Sequence, residues 1–265
     1  LFRERVAIGM FAGPPCETWT VARFMKVPDM TNPPCPLRSL SQIWGLLDLN
    51  RKQRDQVDIG NALLRAALWL AAEAYAAGAF ALIEHPGEPT WVPEAPSIWR
   101  SDIVKFLTVQ LHADPVNFDQ CTAGAPSKKR TCLWTVNFPQ LRAAIRRLPD
   151  AGFCQHGRRG HASVLKGRDP ETGAWRTAPA KQYPSGMCKA IAEGACEFAR
   201  KTIEQSDPGT YDDVPDHIAP FFTPLDPYND DQVFGAYGLD FSHSSAGRSS
   251  KKAAFKPKPK PKPKP

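Results

Sequence analysis

Arg5-Val6-Ala7-Ile8-Gly9-Met10-Phe11-Ala12-Gly13-Pro14-Pro15-Cys16 is the run that decides how this chain is read. Its first eight residues are mostly apolar and too few for a helix, as expected of a short buried strand. Gly13-Pro14-Pro15 ends it, because proline has no N–H to give to a ladder. A second run of this kind, Ala79-Phe80-Ala81-Leu82-Ile83, closes on Glu84-His85-Pro86. Between the two, residues 52–77 place Val57, Leu63, Leu64, Ala67, Leu68 and Ala71 at helical spacing, with Gly78 as the stop.

Outward from that unit, residues 26–41 read as a Pro-, Asn- and Ser-rich loop. The patterns predict a helix over 98–107, strands over 116–118 and 131–136, a short helix over 140–148 and a longer one over 184–205. Strand and helix in alternation predict an α/β domain, a parallel sheet with flanking helices. In such sheets, functional side chains collect where strands end. Cys16 and Glu84 follow different strands, so both are expected at one crevice.

The 265 residues suit one α/β domain of ordinary size plus an appendage, and 42% hydrophobic content is enough for a packed core. No apolar run reaches the roughly 18 residues that span a bilayer, so no membrane association is expected. Leu1-Phe2-Arg3-Glu4-Arg5 shows no signal-peptide pattern, and its lack of an initiating Met reads as a fragment. Seven scattered cysteines read as reduced thiols, which points to an intracellular location, the nucleus included. The domain is expected over 1–206. Residues 207–265 read as a disordered tail, acidic first and then Lys-Pro-rich.

The net charge of +7 owes its sign to residues 251–265, which hold seven lysines and no acid. Between Cys121 and Arg168 lie ten Lys or Arg and a single acid, Asp150, whereas 207–247 holds eight Asp and no Lys or Arg. The basic block reads either as a surface for phosphate or as a solvated face paired with the acidic segment.

Two prolines fix φ and stiffen the loop that presents Cys16, which suits a nucleophile attacking at a defined angle. The same tripeptide recurs as Pro33-Pro34-Cys35 with no strand before it, so a packed, unreactive cysteine is the competing reading. The company of Cys16 separates the two. Gly13-Pro14-Pro15-Cys16-Glu17-Thr18-Trp19-Thr20 resembles the nucleophile loop of cytosine-5 DNA methyltransferases. Glu84-His85-Pro86 resembles that family's Glu-Asn-Val or Glu-Asn-Pro, with His85 in place of Asn. Gly124-Ala125-Pro126-Ser127-Lys128-Lys129-Arg130-Thr131 resembles its Gly-x-Pro-x-x-Arg-x-Arg, in the phage-like form with Lys and Thr for the arginines. Trp175 to Ala192, through Gln182-Tyr183-Pro184, resembles the closing segment of the fold. The likeness covers roughly 5–200 and extends to open reading frames of mobile elements.

The resemblance implies a partial Rossmann-like methyltransferase sheet and a specific chemistry. Cys16 would add to C6 of a cytosine, Glu84 would hold N3 and the exocyclic amine, and Lys129 would steady the base. The base must leave the duplex stack to reach such a pocket. Pro14, Tyr183 and Pro184 would face S-adenosylmethionine. Arg23, Lys128, Arg130, Thr131, Arg158 and Arg159 would contact DNA. The residue readings beside these are plain ones: Glu84 pairing with an arginine at a strand end, Lys128-Lys129-Arg130 as a solvated turn, Arg23 as a helix cap. Only 12 residues precede Gly13, and none forms the family's Gly-rich cofactor turn. The chain therefore resembles a catalytic half, inactive without an upstream cofactor-binding half of a longer polypeptide. A non-catalytic, mobile-element-derived nucleic-acid-binding remnant and an unrelated α/β protein are the alternatives.

Cys154-x-His156-x4-His161 offers metal-compatible side chains, but the sequence shows no fourth ligand, although Cys121 or Cys132 could approach. The expectation is that no metal binds here.

Overall fold

The computed structural model describes residues 2, 7–25, 34–157, 160–169 and 171–204. Four strands form one sheet: β1 (Gly9–Ala12), β2 (Phe80–Pro86), β3 (Asp114–Asp119) and β4 (Arg130–Val136). The helices are α1 (Arg51–Ala76), α2 (Asp102–Gln110), α3 (Pro139–Arg146) and α4 (Ser185–Glu204). The expected elements are all present, with shifted ends. The predicted helix from residue 98 is split by Ser101, whose backbone is extended and whose hydroxyl donates to Ile98 O at 2.6 Å. Arg5, Val6 and the tail read over 207–265 lie outside the described residues.

The sheet is mixed, not parallel. Its order is β1-β2-β4-β3, with β1 and β2 parallel and β4 antiparallel to both β2 and β3. The reason lies between β3 and β4. Only residues 120–129 join them, a 3-10 turn (Gln120–Ala123) and a short loop. A parallel crossover needs a dozen residues or more, whereas an antiparallel return needs few. Strand β4 folds back and fills the place between β2 and β3.

Helices cover both faces of the sheet. α1 starts on a capping box, in which Asn50 Oδ1 accepts from Gln53 N and Gln53 Oε1 accepts from Asn50 N, each at 3.0 Å. Side chains alternate along a strand. Ala81 and Ile83 of β2 therefore pack with Leu64, Leu68 and Leu107 of α1 and α2, while Phe80 and Leu82 pack with Leu141, Ile145 and Met187 of α3 and α4. The same period sends Glu84 toward the α4 face and His85 toward the α1 face. Gly186 lets the first turn of α4 approach the 3-10 turn, since a Cβ there would lie 2.6 Å from Ala123 O.

Candidate functional site

Register places the loop. Ala12 pairs with Ile83, so the chain leaving β1 runs beside Glu84. Glu84 is buried, and both its oxygens are held: Lys129 Nζ approaches Oε1 at 3.3 Å and Tyr183 Oη donates to Oε2 at 3.1 Å. Lys129 Nζ also donates to Ala180 O at 3.3 Å. Burial and the adjacent carboxylate push the Tyr183 phenol up, so it stays a donor. Its ring packs on Phe11 of β1, centroids 5.6 Å apart. Gly13 must be glycine for this arrangement, because a Cβ there would sit 2.3 Å from Tyr183 Oη. Glu84 thus pairs with a lysine, not with the arginine that its strand-end position suggested.

Cys16 joins this group. Burial pushes its thiol up. The Lys129 charge works the other way, and Glu84 and Glu17 add to the rise. The turn that carries Cys16 is closed by Trp19 N donating to Cys16 O at 2.9 Å. It is braced from behind by Arg38, a fully buried side chain that sequence reading passed over inside a Pro-rich loop. Arg38 donates to Thr18 Oγ1 (2.8 and 3.0 Å), Asn61 Oδ1 (2.7 Å), Ile43 O and Val57 O, and stacks 3.7 Å from the Trp19 ring. Burial lowers the Arg38 pKa to about 9, still charged at neutral pH. His85 lies behind the sheet between the edges of Trp19 and Trp99. Burial, helped by Lys129 and Arg38, drives its pKa down to about 3, so it is neutral.

The described residues among those assigned to DNA are engaged within the domain. Arg23 is neither free nor a helix cap: it donates to Glu17 O (2.6 Å), Cys35 O (3.0 Å) and Gln56 Oε1 (3.3 Å), tying the loops to α1. Thr131 is fully buried and accepts from Gln120 Nε2 at 3.0 Å, so it presents nothing outward. Lys128 and Arg130 both pair with the buried Asp119, at 3.7 and 2.8 Å. Arg158 and Arg159 lie outside the described residues. Among the described residues, other cations of the basic block pair within the domain, Arg142 with Asp114 and Arg147 with Glu193. Of the residues assigned to the cofactor, Pro14 is buried, Pro184 opens α4, and the Tyr183 hydroxyl is engaged by Glu84.

A groove of about 320 Å³ flanks the Cys16 turn, lined by Glu17, Thr20, Arg23, Leu165, Lys166 and Trp175. Neither Glu84 nor Lys129 lines it. Glu17, on its near side, pairs with Lys181, whose Nζ lies 2.7 Å from Glu17 Oε1.

Cys154, His156 and His161 come together, and Cys121 joins them, while Cys132 is buried in β4 away from the group. The fourth donor that spacing alone left open is thus Cys121. No protein-family model matches the chain, and no curated protein and no solved structure matches it either.

Proposed function

We propose that residues 7–204 are the base-binding half of a cytosine-5 methyltransferase-like domain, with Cys16 as nucleophile and Glu84 as the partner of cytosine N3. The observation that carries this reading is the buried Glu84 carboxylate, oriented on one oxygen by Lys129 and on the other by Tyr183, within the electrostatic reach of the Cys16 thiol. A carboxyl group so held suits an N–C–NH2 edge, and a thiol on the loop that follows the neighbouring strand suits attack on the same ring. With its thiol proton released to water, Cys16 Sγ adds to C6: the S–C bond forms as the C5=C6 π bond breaks, and that electron pair goes to C5. A proton taken up from water and shared between Glu84 and N3 lowers the cost of that addition, and Lys129 opposes the burial that keeps the thiol protonated.

S-adenosylmethionine would supply the methyl group. The residues present do not make a site for it: Pro14 is buried and Tyr183 is committed to Glu84 and Phe11. The cofactor site belongs in this reading to an upstream half, and β1 offers a place to dock one. It pairs through one edge only among the described residues, and Ile8 and Phe11 are 44% and 45% exposed. The second reading, a nucleic-acid-binding remnant without methyl transfer, draws on the raised Cys16 thiol.

Isotope exchange tests the chemistry without the cofactor. After addition, C5 takes a proton from water. Elimination then removes the original hydrogen and expels the thiolate. Cytosine tritiated at C5, in single-stranded and duplex DNA, is expected to release tritium to water with the full chain. Cys16→Ala should abolish the release and Glu84→Gln reduce it at least tenfold, a loss of about 1.4 kcal/mol or more of transition-state stabilisation. Absence of release, or equal release by Cys16→Ala, sinks the proposal.

A further inference from the structure

We propose that Cys121, Cys154, His156 and His161 bind one zinc ion as a closed structural site. One ligand atom from each of the four lies within 4.8 Å of all the others. Cys154 Sγ is 3.3 Å from His161 Nε2 and 3.6 Å from His156 Nδ1. A tetrahedron with Zn–S near 2.3 Å and Zn–N near 2.0 Å has edges of about 3.3–3.8 Å, so these separations need little adjustment. Two thiols and two imidazoles form a borderline-soft set that selects zinc over magnesium or calcium. Four protein ligands leave no open position, which makes the site structural and not catalytic.

The surroundings hold the donors in place. Cys121 sits in the 3-10 turn after β3, and Cys154 just after another (Pro149–Gly152). Asp119, two residues before Cys121, joins the two: its Oδ2 accepts from Cys154 N at 3.0 Å. Oriented supports of this kind are typical of the shell around metal ligands.

The fold also needs such a clamp. Among the described residues from 153 to 186 none is buried. Phe153 and Val164 are 43% and 53% exposed. Hydrophobic burial therefore cannot hold this segment, although it leads to Lys181 and Tyr183. Metal ligation supplies folding free energy where a core does not. This inference stands apart from the cytosine chemistry.

Metal analysis of the full chain, purified with reductant and without chelator, is expected to give about one zinc per chain. Cys121→Ser and His161→Asn should each cut retained zinc several-fold, while Cys188→Ser, on the exposed face of α4, should leave it unchanged. Cobalt exchanged into the unmodified chain should show thiolate charge transfer and the visible bands of a tetrahedral centre, a readout independent of how the variants fold. Zinc below about a tenth per chain with no tetrahedral cobalt spectrum overturns the proposal. So does a Cys121–Cys154 disulfide found by peptide mapping.

Discussion

Gly13→Ala probes the Glu84 cradle directly. The backbone at Gly13 is not left-handed, so alanine is opposed there by contact alone. The new methyl would lie 2.3 Å from Tyr183 Oη, 3.6 Å from Tyr183 Cζ and 3.9 Å from Glu84 Oε2. Only the hydroxyl clashes. Relief requires Oη to retreat by about 1 Å, which stretches its 3.1 Å bond to Glu84 beyond hydrogen-bonding range. A lost bond to a charged acceptor costs about 1.5–3 kcal/mol. In Tyr183→Phe the hydroxyl is gone and the remaining contact is ordinary, so Gly13→Ala should there cost less than about 0.5 kcal/mol. A double-mutant cycle in urea unfolding should give a coupling of about 2 kcal/mol between the two positions. Equal costs of Gly13→Ala in both backgrounds would refute the argument, because the penalty would then come from something other than the Tyr183 hydroxyl.

Lys129→Met removes the charge that does most to hold the Cys16 thiol down while burial, Glu84 and Glu17 continue to raise it. The pH profile of Cys16 alkylation, followed by mass spectrometry, should move to higher pH, with slower labelling at any fixed pH below the new midpoint; an unchanged profile or a shift to lower pH would contradict the assignment. Arg38→Met strips Thr18, Asn61, Ile43 and Val57 of a buried donor. Calorimetry should show a loss of about 3–5 kcal/mol and a fall in Tm of roughly 10 °C. A loss under about 1 kcal/mol would mean that water replaces the guanidinium.

The strands and helices were legible because each carries a strong period: apolar runs for β1 and β2, helical spacing over α1, Pro184-Ser185 at the start of α4. Sheet direction was not legible, since it depends on whether ten residues between β3 and β4 can hold a crossover. The site was legible in part. Cys16, Glu84 and Lys129 carried motif signals, and the structure brings them together. Arg38 and Asp119 carried none. A buried charge inside a loop reads as a surface charge until its partners are known, and those of Arg38 come from Thr18 and from Val57 and Asn61 on α1. Thr131 and Arg23 erred for the same reason: sequence shows which side chains can donate, not which are already engaged.

The two clusters share their supports, and this links the metal site to the Glu84 site through the fold. Gln120 N donates to Lys129 O at 2.9 Å, and Gln120 Nε2 donates to Thr131 Oγ1, so the turn beside Cys121 also sets the start of β4 and the base of Lys129. From the ligands, the chain runs on through Ser163, whose N–H donates to Pro126 O, to the 3-10 turn at Pro179–Lys181. That turn delivers Ala180 O to Lys129, Lys181 to Glu17 and, two residues later, Tyr183 to Glu84. Glu84 itself rests on β2, which is buried on both faces and needs no metal. One wall of the site is therefore rigid by packing. The other wall is held by polar contacts on a segment without a buried residue, and its order rests on the three ligands at its start and on Cys121, which fixes them to the turn after β3.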